Sequence, residues 1–197
     1  MEYVITHISA GEWRNKEHGS VCAVFEPPEI SCETVKSPFG HTVVIGLGNP
    51  LMSDEGIGIR LLAELTECLH REEFAGVLFL DLGTSGAKVL HAIARKRKAI
   101  FLDCVFMGER PGAIRRFSMD DVRSLKILSR FSFHEADLLG ILELSRKLGE
   151  YPEEVVIFGI EPQEIVPGDG LSSVLIARLQ EYMAMIEGEL RPESSGE

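Results

Sequence analysis

Four short aliphatic runs, Val43–Leu47, Val77–Leu82, Ala99–Val105 and Val155–Ile160, set the limits on what this chain can fold into. Each is too short for a helix of ordinary length and nearly continuous in Val, Ile, Leu and Phe. That is the pattern of strands covered on both faces rather than on one. Between the runs the apolar period changes. Leu61, Leu62, Leu65 and Leu69 fall on one helical stripe, Leu138, Leu139, Leu142 and Leu148 mark a second helix, and Leu171 to Ile186 a third. A further strand is expected within Gly112–Met119. Strands alternating with helices predict an α/β fold, a three-layer sandwich in which a mainly parallel twisted sheet carries helices on both faces.

The regular pattern begins only near Thr42, which divides the chain into an extension over residues 1–40, one domain over 41–190 and a polar tail over 191–197. In the extension, Tyr3–Ile8 and Val21–Phe25 could pair as a docked hairpin, or the segment could be a flexible arm. Its His7, His18, Cys22 and Cys32 do not have zinc-finger spacing. With Cys68 and Cys104 they include all four cysteines, which are expected to be reduced because no disulfide framework is needed at this size. No apolar run approaches the roughly 18 residues of a membrane span, and the first residues do not resemble a signal peptide. A cytoplasmic, monomeric protein without a membrane partner is the expectation. The formal net charge of −11 opposes a nucleic-acid partner. The one basic cluster, Arg95-Lys96-Arg97-Lys98, is read as the end of a helix whose cations complement its dipole.

In open α/β sheets chemistry gathers beyond the carboxyl ends of the strands. The first run leads into Gly46-Leu47-Gly48-Asn49-Pro50-Leu51-Met52-Ser53-Asp54-Glu55-Gly56-Ile57-Gly58, a glycine-permitted turn opening a helix near Asp54. Asp54 fits an N-cap, and Glu55 suits the positive end of a helix dipole. The string is neither a dinucleotide fingerprint, whose third glycine would fall at Leu51, nor a phosphate-binding P-loop, which needs a Gly-Lys-Ser/Thr triplet. Asp103 comes late in an apolar run, where a carboxylate is costly unless paired or metal-bound. The neighbouring Cys104 should point to the opposite face and serve the core. His134 stands immediately before the Leu138 helix. Glu55, Asp103 and His134 together offer an O, O, N donor set suited to a borderline metal.

These residues bear a family resemblance that covers roughly Thr42 to Met185. The pattern G-x-G-N-x-x-x-x-D-E-x-x-G, met by Gly46, Gly48, Asn49, Asp54, Glu55 and Gly58, resembles the opening of the hydrogenase maturation proteases. Asp81-Leu82-Gly83-Thr84-Ser85-Gly86, Asp103, the segment from Ser132 to Leu138 and Gly159-Ile160-Glu161-Pro162 follow in the order of that family. The resemblance implies an endopeptidase that removes the C-terminal extension of a [NiFe]-hydrogenase large-subunit precursor. It also implies that Glu55, Asp103 and His134 contact nickel, which arrives seated in the substrate's own thiolate site. Residues 1–40 depart from the family pattern, in which the chain starts close to the first strand.

Either the metal or a carboxylate could activate water against the scissile carbonyl. The Gly83, Thr84 and Ser85 loop could present backbone donors to a peptide, or be a plain strand-to-helix turn. A serine triad is disfavoured because no G-x-S-x-G elbow exists. Two other classes stay open: a non-catalytic nickel-binding chaperone on the same scaffold and, remotely, a peptidyl-tRNA hydrolase. The latter shares the Gly-Leu-Gly-Asn-Pro opening, but the acidic Asp54-Glu55 continuation and net charge disfavour it.

Overall fold

The computed structural model describes residues 41–68, 74, 76–121 and 133–191, with the side chains of residues 133–137 outside the description. All of them belong to the unit Ser37–Glu197. The expected extension over residues 1–40 and most of the expected tail lie outside the described residues, as do Leu69, Cys22 and Cys32.

The aliphatic runs become strands β1 (Thr42–Leu47), β2 (Val77–Gly83), β3 (Lys98–Cys104) and β5 (Glu154–Ile160), and the expected additional strand is β4 (Ile114–Ser118). They form one five-stranded sheet in the order β2-β1-β3-β5-β4. β1 pairs in parallel with β2 and β3, and β3 pairs in parallel with β5. β4 is antiparallel, at the edge beside β5. Its exposed Arg115 and Arg116 give it the half-polar composition of an edge, in contrast to the buried β1, β3 and β5, while β2 at the other edge is only partly buried.

Strand alternation divides the core in two. Val43, Ile45, Leu47, Ala99, Phe101, Val155 and Ile157 face helices α2 (Gly86–Ile93) and α3 (Phe133–Lys147), meeting Val89, Ile93, Leu138, Leu139 and Leu142. Val44, Ile100, Leu102, Cys104, Val156, Phe158 and Ile160 face α1 (Ile57–Cys68), α4 (Ser173–Ile176) and α5 (Leu179–Leu190). Burying both faces at about 25 cal/mol per Å² of apolar surface supplies the main driving force for the three layers. The expected sandwich is therefore the observed one.

Three local readings change. The expected helix from Leu171 to Ile186 is two helices, α4 and α5, with Ala177 and Arg178 between them. Ser172 caps the start of α4 by accepting the Leu175 amide at 3.5 Å, and Arg178, at φ −113° and ψ 3°, leaves the helical path before α5 begins. Leu148 lies just beyond α3 and is 55% exposed, so it does not share the stripe of Leu138, Leu139 and Leu142. The basic cluster is not one helix terminus. α2 ends at Ile93, Arg95 adopts a positive φ of 57°, and Lys98 already begins β3. Its ammonium sits between Glu154 at 3.1 Å and Glu189 at 2.6 Å, tying the start of β3 to β5 and α5.

The strand order reverses at β1, whose neighbours are β2 on one side and β3 on the other. This switch point opens a crevice at the carboxyl ends of β1 and β3, where connections leave in opposite directions. Glu55 follows β1 and Asp103 lies near the end of β3, both at this end of the sheet.

Candidate active site

The glycines of the opening motif allow the turn after β1 to lie against the sheet. Gly48 has a φ of +120°, and a Cβ there would lie 1.9 Å from the Glu55 carbonyl oxygen. A Cβ on Gly58 would meet the carbonyl oxygens of Leu102 at 2.1 Å and Leu47 at 2.4 Å. Only backbone fits at either place. The helix start is thereby pressed onto the ends of β1 and β3, which brings Glu55 to the crevice.

Asn49 shapes the same turn by accepting the Leu51 amide at 3.1 Å on its side chain. Residues Ser53–Gly56 then form a single 3-10 turn before α1 begins at Ile57. Asp54 is not the N-cap expected of it. Its fully buried carboxylate accepts the amides of Gln163 at 2.8 Å and Glu164 at 3.2 Å on Oδ2 and of Ser172 at 2.6 Å on Oδ1. A carboxylate taken out of water is tolerable when charge-assisted bonds replace hydration, and here three backbone donors do so. Their effect is to fix the loop between β5 and α4. Ser53 adds a hydroxyl bond to the Val166 carbonyl at 2.9 Å, and its amide donates to the Gly168 carbonyl at 3.1 Å.

Glu161 performs the matching task one loop away. Buried just after β5, it accepts the Met107 amide at 2.6 Å and the Glu109 amide at 3.2 Å, which holds the loop leaving β3. Sequence reasoning assigned neither clamp. The signal for Glu161 was present, because it follows an aliphatic run just as Asp103 ends one. For Asp54 there was no comparable signal, since its partners are distant backbone amides without a side-chain signature.

Glu55 is 7% exposed on the 3-10 turn, and Asp103 is 2% exposed near the end of β3. One Asp103 oxygen accepts the Cys104 amide at 2.8 Å. The side chain of Cys104 belongs to the opposite core layer, as alternation predicts. Burial pushes its thiol pKa up, and the charges of Asp103, Asp54, Glu55 and Glu161 push it in the same direction. Cys104 is thus a protonated core residue rather than a thiolate nucleophile. That set of acids also reveals the electrostatics of the crevice: four carboxylates act on one buried thiol.

The backbone of His134 lies within the first turn of α3, rather than ahead of the helix as expected; its side chain lies outside the described residues. Asp103 does share a cleft with the Gly83, Thr84 and Ser85 loop. The cleft, ~370 Å³ of space open to solvent, is completed by Leu47, Gly48, Gly86, Val89, Leu138 and Ile141. The loop itself is the turn from β2 into α2, closed by the Ser85 amide on the Leu82 carbonyl at 3.0 Å, with Gly83 at a φ of +54°. Asp81 braces it by accepting the Gly83 amide at 3.0 Å. The architecture offers a buried acidic crevice, a loop leading into a helix N-terminus and an adjoining apolar cleft.

Among the described residues no helix is long and apolar enough to cross a membrane, and Cys68 and Cys104 carry free thiols. Residues 59–189 match the family model for HycI, hydrogenase maturation protease. The hydrogenase expression/formation protein HoxM of Cupriavidus necator is 30% identical over 141 residues, which are 71% of this chain and 68% of that protein. The hydrogenase 2 maturation protease of Escherichia coli is 27% identical over 150 residues, 76% of this chain and 90% of the relative. The solved structure of the hydrogenase maturating endopeptidase HybD from E. coli superposes with a TM-score of 0.67 at 27% identity, covering 76% of this chain and 91% of the other. From the ordered motifs, the five-stranded sheet and these likenesses, it follows that this chain belongs to the hydrogenase maturation protease family and is a hydrolase of the endopeptidase class.

Proposed function

We propose that the protein removes the C-terminal extension of a [NiFe]-hydrogenase large-subunit precursor, and that it does so only after nickel has entered the precursor. The observation that carries this reading is the collection of buried acids at the switch point. Besides burial, four buried carboxylates raise the pKa of the one Cys104 thiol, so this end of the sheet is electrostatically negative, and a divalent cation presented by the substrate would be drawn to it. Asp54 and Glu161 are already engaged by loop amides, which fixes their role as structural. Glu55 and Asp103, reinforced by the imidazole of His134, are the residues proposed to grip nickel.

Oxygen and nitrogen donors suit the borderline character of nickel, while a donor set without a thiolate makes for modest affinity in the free enzyme. Nickel would supply Lewis acidity when present in the precursor. The chain's own residues do the rest. Glu55 and Asp103 hold the metal-bearing end of the precursor against the crevice, and a carboxylate released from that grip can take the proton of an attacking water. The first-turn amides of α2, which have no acceptors within their own helix, lie beside the cleft and can receive the oxyanion of the scissile carbonyl. His134 can return a proton to the leaving amine.

A nickel-binding chaperone on the same scaffold would grip the precursor without cutting it. Intact-mass measurement of nickel-loaded and nickel-free precursor after incubation with the protein separates the two. Loss of one discrete C-terminal peptide, only from the loaded form, is the expected result. An unchanged mass for a loaded precursor that nonetheless binds would support the chaperone instead.

A further inference from the structure

We infer that Pro50, Leu51, Val166 and Pro167 form a preformed docking platform for the folded body of the precursor, which meets it with a face apolar at its centre and rimmed by Lys or Arg. The inference rests on the proposed proteolysis and deepens it by naming where the precursor is held, apart from the bond that is cut.

Two bridged loops make the platform. The Leu51 amide donates to the Asn49 side chain at 3.1 Å, and the Leu51 carbonyl accepts the Gly168 amide at 3.0 Å. Ser53 adds its amide on the Gly168 carbonyl at 3.1 Å and its hydroxyl on the Val166 carbonyl at 2.9 Å. A Cβ on Gly56 would lie 2.7 Å from Pro50 Cα, so the first loop is also seated on the turn that carries Glu55. Both backbones are fixed, yet Leu51 is 65% and Val166 44% exposed, and Pro50 and Pro167 beside them are exposed as well. One exposed leucine is ordinary, whereas two apolar pairs displayed on a single braced frame mark a contact surface. A surface already held in place loses little conformational freedom on binding.

Position and charge identify the occupant. Glu55 follows Leu51 by four residues, so a body seated on the platform lies beside the crevice. Ile165 and Leu171 tie the second loop to the layer of α1, α4 and α5, whereas Val89, Leu138 and Ile141 of the cleft belong to the layer of α2 and α3. A partner resting on the platform therefore leaves the cleft open. Residues 47–59 and 161–177 contain no Lys or Arg, and Glu164 and Asp169 are exposed in the second loop. A two-fold pair of copies would bring this acidic rim against itself, while a partner with a basic rim is attracted to it.

The test measures Kd for intact precursor, nickel-loaded and nickel-free, together with kcat and KM for cleavage of the loaded form. Leu51→Ala combined with Val166→Ala should raise Kd for both forms and KM by about tenfold or more, with kcat and the urea midpoint unchanged. Leu51→Arg should weaken binding further by setting like charge against the partner's rim. Leu148→Ala and Leu148→Arg, at a residue 55% exposed in the turn leading to the start of β5, should leave both constants as they are. Unchanged Kd in folded Leu51 and Val166 variants, or a dimer of the protein alone that Leu51→Arg dissociates in sedimentation, overturns the platform while leaving proteolysis intact. A loaded precursor that binds through Leu51 and is never cut overturns the proteolytic reading and upholds the platform.

Discussion

The amide of Ser172 donates to Oδ1 of Asp54 at 2.6 Å, a bond between residues 118 positions apart. It joins the turn that carries Glu55 to the start of α4, and the Gln163 and Glu164 amides on the other oxygen complete the clamp. One buried side chain thus fixes both a site loop and the turn beside it.

Asp54→Ala removes the acceptor for three amides at once. The expected loss is about 3 kcal/mol or more of unfolding free energy, since buried donors left without partners carry most of the penalty. Urea unfolding checks it. Asp54→Asn should also destabilise, because its NH2 group faces donors where an acceptor is needed, and a wild-type midpoint in either variant would contradict the clamp.

The glycines separate close approach from mere flexibility. Gly58→Ala places a methyl against the carbonyls of Leu102 and Leu47, both backbone, so strands rather than rotamers would have to move. A loss of about 3 kcal/mol or an insoluble product is expected. Gly140, in the middle of α3, has open space where a Cβ would sit, with no neighbouring atom within 4 Å. Gly140→Ala should therefore stabilise by about 0.5–1 kcal/mol through helix propensity and reduced freedom of the unfolded chain. Thermal denaturation of the pair gives opposite signs if the two roles are right.

A pH effect arises at Glu189 on α5. The hydrogen bond from Arg116, with help from Lys98, holds its carboxyl below the ordinary 4.5, against the opposing effect of burial. The unfolded chain then binds the proton more readily than the folded one. The stabilisation is fully present above about pH 4.5 and is lost as pH falls through the lowered folded-state value. Glu189→Gln should cost about 1 kcal/mol near neutrality. Comparing the two unfolding curves across the acidic range should show the difference shrinking, and a gap that widens on acidification would contradict this assignment.

Legibility in the sequence followed the range of the interaction. β1, β3 and β5 could be read because burial on both faces writes itself into contiguous aliphatic residues, β2 carries the same aliphatic run although it is only partly buried at the sheet edge, and Cys104 could be placed opposite Asp103 because strand alternation is local. The division of the Leu171–Ile186 stretch into α4 and α5 was hidden, since its apolar residues persist across the break at Ala177 and Arg178. Asp54 itself was read by its neighbours in sequence as a cap, although its partners come from the other side of the domain. The walls of the cleft were invisible for the same reason. Val89 and Ile141 look like ordinary core positions until α2 and α3 are packed side by side.

The most direct test of the central claim is single-turnover cleavage of a nickel-loaded large-subunit precursor, followed by intact mass, with wild-type protein and with Glu55→Gln. The account predicts release of one C-terminal peptide by the wild type and a rate at least about 10³-fold lower for the variant, with folding unchanged. Equal rates for the two proteins would contradict the assignment of Glu55 to the reacting site.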